Sequence, residues 1–245
     1  MKKTILMVAA MAMMTAPVFA ANSSEVGSSG KVDNNATMGE QSINAAVGEG
    51  SKASMGSIKF SGTKINGKVS NNATMEKQVV NVGVNGGNAG MGSINLKNAN
   101  VSGKVNNSAK ISTQSLNAAV GQGAKANMGS VEMNGGSVKG TVNNNATMEK
   151  NVLNAAVGKN AKASMGSVEL NNSNVKGTVN NNAKIATQSL NAAVGENAKA
   201  GMGSVELSNT DVKGSVNNNA TMGKQSVNAA VGKDSEATMG SVQGE

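Results

Sequence analysis

Three residue pairs at one spacing are the first place to look for chemistry. Glu132, Glu169 and Glu206 are each followed seven residues later by a lysine: Lys139, Lys176 and Lys213. A carboxylate and an ammonium at fixed separation can serve as acid and base, or can hold two strand segments together as an ion pair. These pairs recur, whereas a catalytic site would stand once in a unique place. Units without the Glu also lack the Lys, since Lys59 is followed by Asn66 and Asn95 by Ser102. With a turn between its members, each pair is expected to face itself across adjacent strand segments. Methionine also forms columns: Met38, Met75, Met148 and Met222 in one, and Met55, Met91, Met128, Met165, Met202 and Met239 in another. Stacked thioethers suit Cu(I), but flexible Met is foremost a core filler. The reading taken is filler, with no metal and no cofactor.

Composition removes most other chemistry. The chain of 245 residues has no His, Cys, Trp or Tyr, and its net charge of +8 comes from Lys alone. Without His or Cys there is no Ser-His-Asp or Cys-His nucleophile, no thiolate or imidazole metal site and no disulfide. With Phe19 and Phe60 as the only aromatic residues, there is no platform on which to stack nucleic-acid bases. The lysines are spread among glutamates, so they read as a solvated surface. Weak binding of matrix polyanions stays open, and specific nucleic-acid binding is not expected. Val, Ile, Leu and Phe make up about 18% of the chain, below what a conventional core needs.

Residues 1–20, MKKTILMVAAMAMMTAPVFA, have a basic start, an apolar stretch from Ile5 to Met14 and small residues at Val18 and Ala20. They read as a secretory signal peptide cut before Ala21, followed by a short segment, 21–30. No later stretch is apolar enough for a transmembrane segment.

Self-similarity dominates the remainder. Six units start at Lys31, Lys68, Lys104, Thr141, Thr178 and Ser215, giving 31–67, 68–103, 104–140, 141–177, 178–214 and 215–245. The one short spacing falls at the Gly86–Gly87 turn. The apolar period within a unit is two, which means strands. Val142, Asn144, Ala146 and Met148 form one run, and Leu153, Ala155 and Val157 a second. Ala161, Ala163 and Met165 form a third, which resumes out of phase at Val168 and Leu170. The phase slip at Gly166 marks a bulge or corner. Gly158-Lys159-Asn160 and Asn171-Asn172-Ser173-Asn174 are turns. One unit cannot bury so thin an apolar stripe, but stacked copies can. The expected fold is all-β: a β-solenoid of six stacked repeats of about 37 residues, one repeat per rung, roughly 29 Å long and cross-β-like.

Asparagine supplies the strongest argument for stacking. Asn34, Asn71, Asn107, Asn144, Asn181 and Asn218 lie on the apolar face of the first strand. A lone inward amide is costly, whereas a stacked one bonds the amides above and below. A second column, Asn44, Asn81, Asn117, Asn154, Asn191 and Asn228, is either another such ladder or a row of turn and surface residues. The position Thr37, Thr74, Lys110, Thr147, Lys184, Thr221 never places two lysines on adjacent rungs. Lys125, Lys162 and Lys199 do stack as like charges, and so are expected at a solvated corner.

The ends carry no evident polar cap. The last unit stops where the others continue to VELxxxxVKG, and Ser28-Ser29-Gly30-Lys31-Val32 resembles the missing piece. Together they look like two parts of one interrupted repeat, which suggests a head-to-tail homopolymer.

Phrases such as Asn72-Ala73 with Val82-Gly83-Val84-Asn85, and Asn191-Ala192-Ala193-Val194-Gly195, resemble bacterial functional amyloids, secreted fibre subunits of biofilm matrix. The nearest are the Fap-type subunits; curli-type repeats are shorter and carry regular Gln. Fap-type chains have variable linkers and a C-terminal Cys pair, which this sequence lacks. The resemblance implies a solenoid-like fibril with one layer per repeat. The function expected is therefore structural and not enzymatic: self-assembly into extracellular amyloid-like fibres of a matrix or cell surface. A nucleator and an export pore remain open as further partners. The alternative is a monomeric or surface-tethered repeat adhesin that uses the solenoid as a spacer or ligand face.

Overall fold

The computed structural model describes residues 32–39, 42–48, 51–62, 64–85, 87–112, 114–185 and 188–244. The leader, the segment 21–30 and the fragment 28–31 lie outside these residues, as do Lys31, Gly86 and Glu245. The described residues form strands and corners and contain no helix, hence none long and apolar enough to cross a membrane.

The fold is a β-solenoid of about six turns. One rung runs through Val131–Met148, Val152–Val157, Lys162–Met165 and Val168–Asn171, and Asn174–Ile185 then lies on the Ser137–Met148 part of the rung before. Stacking produces three sheets, all parallel: a long sheet of ten strands, an Asn-Ala sheet of six that holds Val152–Val157, and a Lys-Ala-Met sheet of six that holds Lys162–Met165. Each residue lies on its counterpart 37 positions away, as in Val142↔Val179 and Asn154↔Asn191. Pairs whose lower-numbered member lies between Lys52 and Val84 are 36 apart instead, as in Lys52↔Asn88 and Asn71↔Asn107, because the second unit is one residue shorter. The parallel register follows from identical repeats: only an unslipped stack places every apolar residue on an apolar neighbour.

Corners use residues that accept positive φ. Gln114, Asn151, Gln188 and Gln225 turn the chain into the Asn-Ala sheet, and Asn160, Asn197 and Asp234 turn it out again. Gly166, at φ 64°, makes the corner between the Lys-Ala-Met strand and the next, where the apolar phase slips. Gly140, at φ 137°, bends the long strand, and a Cβ there would collide with the carbonyl oxygen of Gly103 one rung below.

The core has three parallel columns of packing. Val131, Met133, Val138 and Val142 and their counterparts fill the first. Met128, Met148, Met165, Ile111 and Ile185 fill the second, so both methionine columns are core, with Met239 on the last rung exposed. Small alanines, Ala126, Ala156 and Ala163 among them, fill the third, where the Asn-Ala and Lys-Ala-Met sheets approach closely.

Two expectations need correction. The run Leu153, Ala155 and Val157 faces outward, and the buried residues of that strand are Val152, Asn154 and Ala156. Both faces of this strand are apolar enough to satisfy an alternating pattern, and the facing alanine wall selected the one with the small side chains. The segment Asn171–Asn174 does not reverse the chain either. Asn172 turns it at φ 48°, and the strands on both sides stay in the long sheet.

Candidate functional site: ladders, a charged seam and two open edges

The recurring polar residues line up along the stack axis. In the first asparagine column Asn34 Nδ2 donates to Asn71 Oδ1 at 2.7 Å, and the series continues through Asn107, Asn144 and Asn181 to Asn218 at 2.9–3.0 Å. The second column faces inward as well. Asn44, Asn81, Asn117, Asn154 and Asn191 each donate to the next Oδ1 at 2.8 Å, ending on Asn228. Asn154 Nδ2 also reaches the backbone oxygens of Ala126 at 2.9 Å and Ser164 at 3.1 Å. This column therefore ties the Asn-Ala sheet to the Lys-Ala-Met sheet at every rung. The bonds to backbone carbonyls fix which amide atom is nitrogen. Every inner ladder consequently runs one way, donating toward higher residue numbers. The stack has a polarity: Nδ2 groups point out of the C-terminal end and Oδ1 groups out of the N-terminal end.

The glutamates do not meet the lysines that follow them. Glu132 pairs with Lys125, and Glu169 with Lys162 at 2.8 Å; the nearest lysine to Glu206 is also Lys162, at 3.9 Å. Lys139 and Lys176 are exposed, and Lys213 lies 3.8 Å from Asp211. The cause is the sign of the two bends. At Gly166 the chain folds so that the outer sides of Lys162–Met165 and Val168–Asn171 face each other, bringing Glu169 against Ser164 and Lys162. At Asn172 the chain stays in its sheet, so Lys176 points away. The Lys125, Lys162, Lys199 column is accordingly not a row of bare like charges at a solvated corner. It is one side of a seam whose other side is Glu132, Glu169 and Glu206, and Glu236 ends the lysine column itself.

The seam is balanced in the middle and unbalanced at its ends. Burial works against the Glu132 carboxylate, but Lys125, Lys162 and the Asn127 amide hold it below the usual carboxylate range. Burial likewise opposes charge on Lys162, and Glu169 and Glu206 still hold it above the usual lysine range. On the last rungs Lys199 is drawn to Glu236 at 3.2 Å. Burial and the neighbouring Glu169 push Glu206 up to about 7, and Lys162 offsets this only in part. On the first rung the excess is positive: burial and then Lys52 hold Lys59 below the usual lysine range. The seam column reads Lys52, Asn88, Lys125, Lys162, Lys199, Glu236, so the two end members have opposite charge.

Both ends of the stack present unpaired strand edges. Among the described residues, no strand pairs with the outer edges of Asp211–Met222, Val227–Val231, Glu236–Met239 and Val242–Gly244. The same holds at the other end for Val32–Met38, Ser42–Val47, Lys52–Met55 and Ile58–Ser61. Leu207, Val212, Val216 and Met222 are only partly buried, whereas their counterparts in central rungs are fully covered. No cluster of three or more metal-binding side chains occurs among the described residues.

No family model, no curated protein and no solved structure matches this chain.

Proposed function

We propose that the chain is a secreted structural subunit that polymerises head to tail into extracellular amyloid-like fibres of a matrix or cell surface. The observation that carries the reading is the match between the two open edges. Continuing the register by one rung seats the next copy's Val32 on Val216, Asn34 on Asn218, Ala36 on Ala220 and Met38 on Met222. The same step puts Asn44 on Asn228, Met55 on Met239 and Lys52 on Glu236. The Val32, Ala36, Met38 and Met55 columns continue with like on like, both amide ladders keep their direction, and the seam gains an ion pair. Joining two like ends instead would set the facing strands antiparallel, so that residues no longer stack on their copies, and would oppose amide to amide with the wrong polarity. A contact of this heterologous kind does not close, and so yields a filament. The basic and apolar leader supports export, and the edges left unpaired among the described residues support growth rather than a monomeric state, since soluble sheet proteins blunt such edges.

The test uses residues 21–245 without denaturant, followed by sedimentation, electron microscopy and diffraction from aligned material. Fibres with a meridional spacing near ~4.7 Å support the reading. A stable β-rich monomer at high concentration sinks it and favours the repeat adhesin. Lys52→Glu opposes two carboxylates at the junction, so its elongation should fall at least about tenfold. The double variant Lys52→Glu/Glu236→Lys should recover. A single variant that elongates like the parent removes the seam from the junction.

A further inference from the structure

The seam, the ladders and the edges leave one feature unused: the outward face of the Asn-Ala sheet. All three outward positions of every strand in this sheet are Val, Leu, Ile or Ala. One column is Val47, Val84, Val120, Val157, Val194 and Val231, and another begins with Ile43 and runs through Leu116, Leu153 and Leu190. Of the large apolar side chains exposed among the described residues, Val47, Val157, Leu190, Val194, Val227 and Val231 belong to this face, and the remaining two, Met239 and Val242, belong to the open terminal rung. The outward face of the long sheet is different. It presents Asn143 and Asn180, hydrogen-bonded to each other, and the column Thr74, Lys110, Thr147, Lys184.

We infer that the outward face of the Asn-Ala sheet packs against the same face of a second copy, so that fibres pair side by side along it. This rests on the fibre reading above. The face is uncharged and repeats every ~4.8 Å, and a second copy carries a surface of the same period. A lipid surface is a poorer fit, because apolar faces that bind membranes are fringed with basic and aromatic residues and this chain has no Trp or Tyr. Size fixes the level at which pairing matters. The face is roughly 29 Å by 17 Å, so two copies bury about 1,000 Å² in total, at the lower limit of a specific interface. Single molecules therefore pair weakly. In a fibre each added molecule contributes the same area again, and pairing becomes cumulative.

The experiment places lysines on one wall or the other at the same two rungs: Leu116→Lys/Leu190→Lys on the Asn-Ala sheet, and Ser108→Lys/Asn182→Lys on the long sheet as control. Mass per length is measured on fibres, and sedimentation equilibrium on soluble chain at hundreds of micromolar. Parent and control fibres should have twice the mass per length of the Leu116→Lys/Leu190→Lys fibres, and only the latter should lose a weak reversible dimer in solution. Single-file parent fibres, or Leu116→Lys/Leu190→Lys fibres still paired, overturn the inference while leaving polymerisation intact. Where no fibre forms the polymerisation reading fails, and the soluble arm decides pairing alone: a parent that stays monomeric, or that binds neutral lipid vesicles in place of itself, overturns it.

Discussion

Asn154 in the fourth rung and Asn228 in the sixth are the same residue at the same place in the repeat, yet their surroundings differ. Asn154 accepts from Asn117 and donates to Asn191 and to two backbone carbonyls. Asn228 keeps the bond from Asn191 and the two carbonyl bonds, but among the described residues nothing lies above it. A related contrast separates Glu169, paired with Lys162, from Glu206, one rung below the last, pushed up to about 7 by burial and by Glu169 where the lysine column gives way to Glu236. In a solenoid the environment of a residue is supplied by its copies, so a central rung is complete and a terminal rung is half an environment. The terminal rungs are where binding energy remains unspent.

Substitutions made in matched central and terminal positions test this contrast. The largest effect is expected for Asn154→Leu, which leaves the Asn117 Nδ2, the Asn191 Oδ1 and two carbonyls short of a partner inside the fold. It should cost about 4 kcal/mol, and Asn228→Leu about 1–2 kcal/mol, read from chemical denaturation and from amide exchange in the neighbouring rungs. Equal costs would mean that the ladder contributes little. Next is Gly158→Ala, whose Cβ would strike the carbonyl oxygen of Gly121, against Gly48→Ala, whose Cβ has open space. Both residues lie near φ 140°, so both substitutions strain the backbone, by about 1–2 kcal/mol. Gly158→Ala carries the collision in addition and should lower the thermal midpoint at least about twice as far.

The smallest effect is on pH dependence. Glu206 faces Glu169, Lys162, Glu236 and the Ser204 hydroxyl. Its carboxyl holds a proton to about pH 7 when folded, against 4.5 as the ordinary value. Between those values the folded chain binds more protons than the unfolded one. Stability from this group is therefore full below pH 4.5 and is lost as the pH rises through 7, by about 3 kcal/mol. Denaturation of Glu206→Gln from pH 4.5 to 7.5 should lack this decline. A second copy's Lys52 on Glu236 would release Lys199 toward Glu206, so in fibres the decline should shift to lower pH. An unshifted profile would count against that junction.

Much of this architecture was legible in the repeats. Identical units at 37-residue spacing leave little choice but an unslipped parallel stack, and a buried amide flanked by Val142 and Ala146 has no cheaper partner than its own copy. Gly166 marked its corner, because a change of apolar phase needs a residue free to bend. The sidedness of the Asn-Ala strand was not legible. In Val152–Val157 the fully apolar alternation is the outer one and the inner one carries Asn154, so the apolar pattern points to the wrong face.

The sequence alone determined the rung, its register and the residues that stack, since repetition ties each residue to its copies whatever the shape of the cross-section. Tertiary structure alone decided which lysine each glutamate meets. Lys162 and Lys176 stand seven residues on either side of Glu169, and nothing in the spacing separates them. The inward fold at Gly166 brings one to the carboxylate, and the continuing strand past Asn172 turns the other to solvent. The direction of a bend depends on which walls must close around the alanine and methionine columns, and so on residues far from either pair.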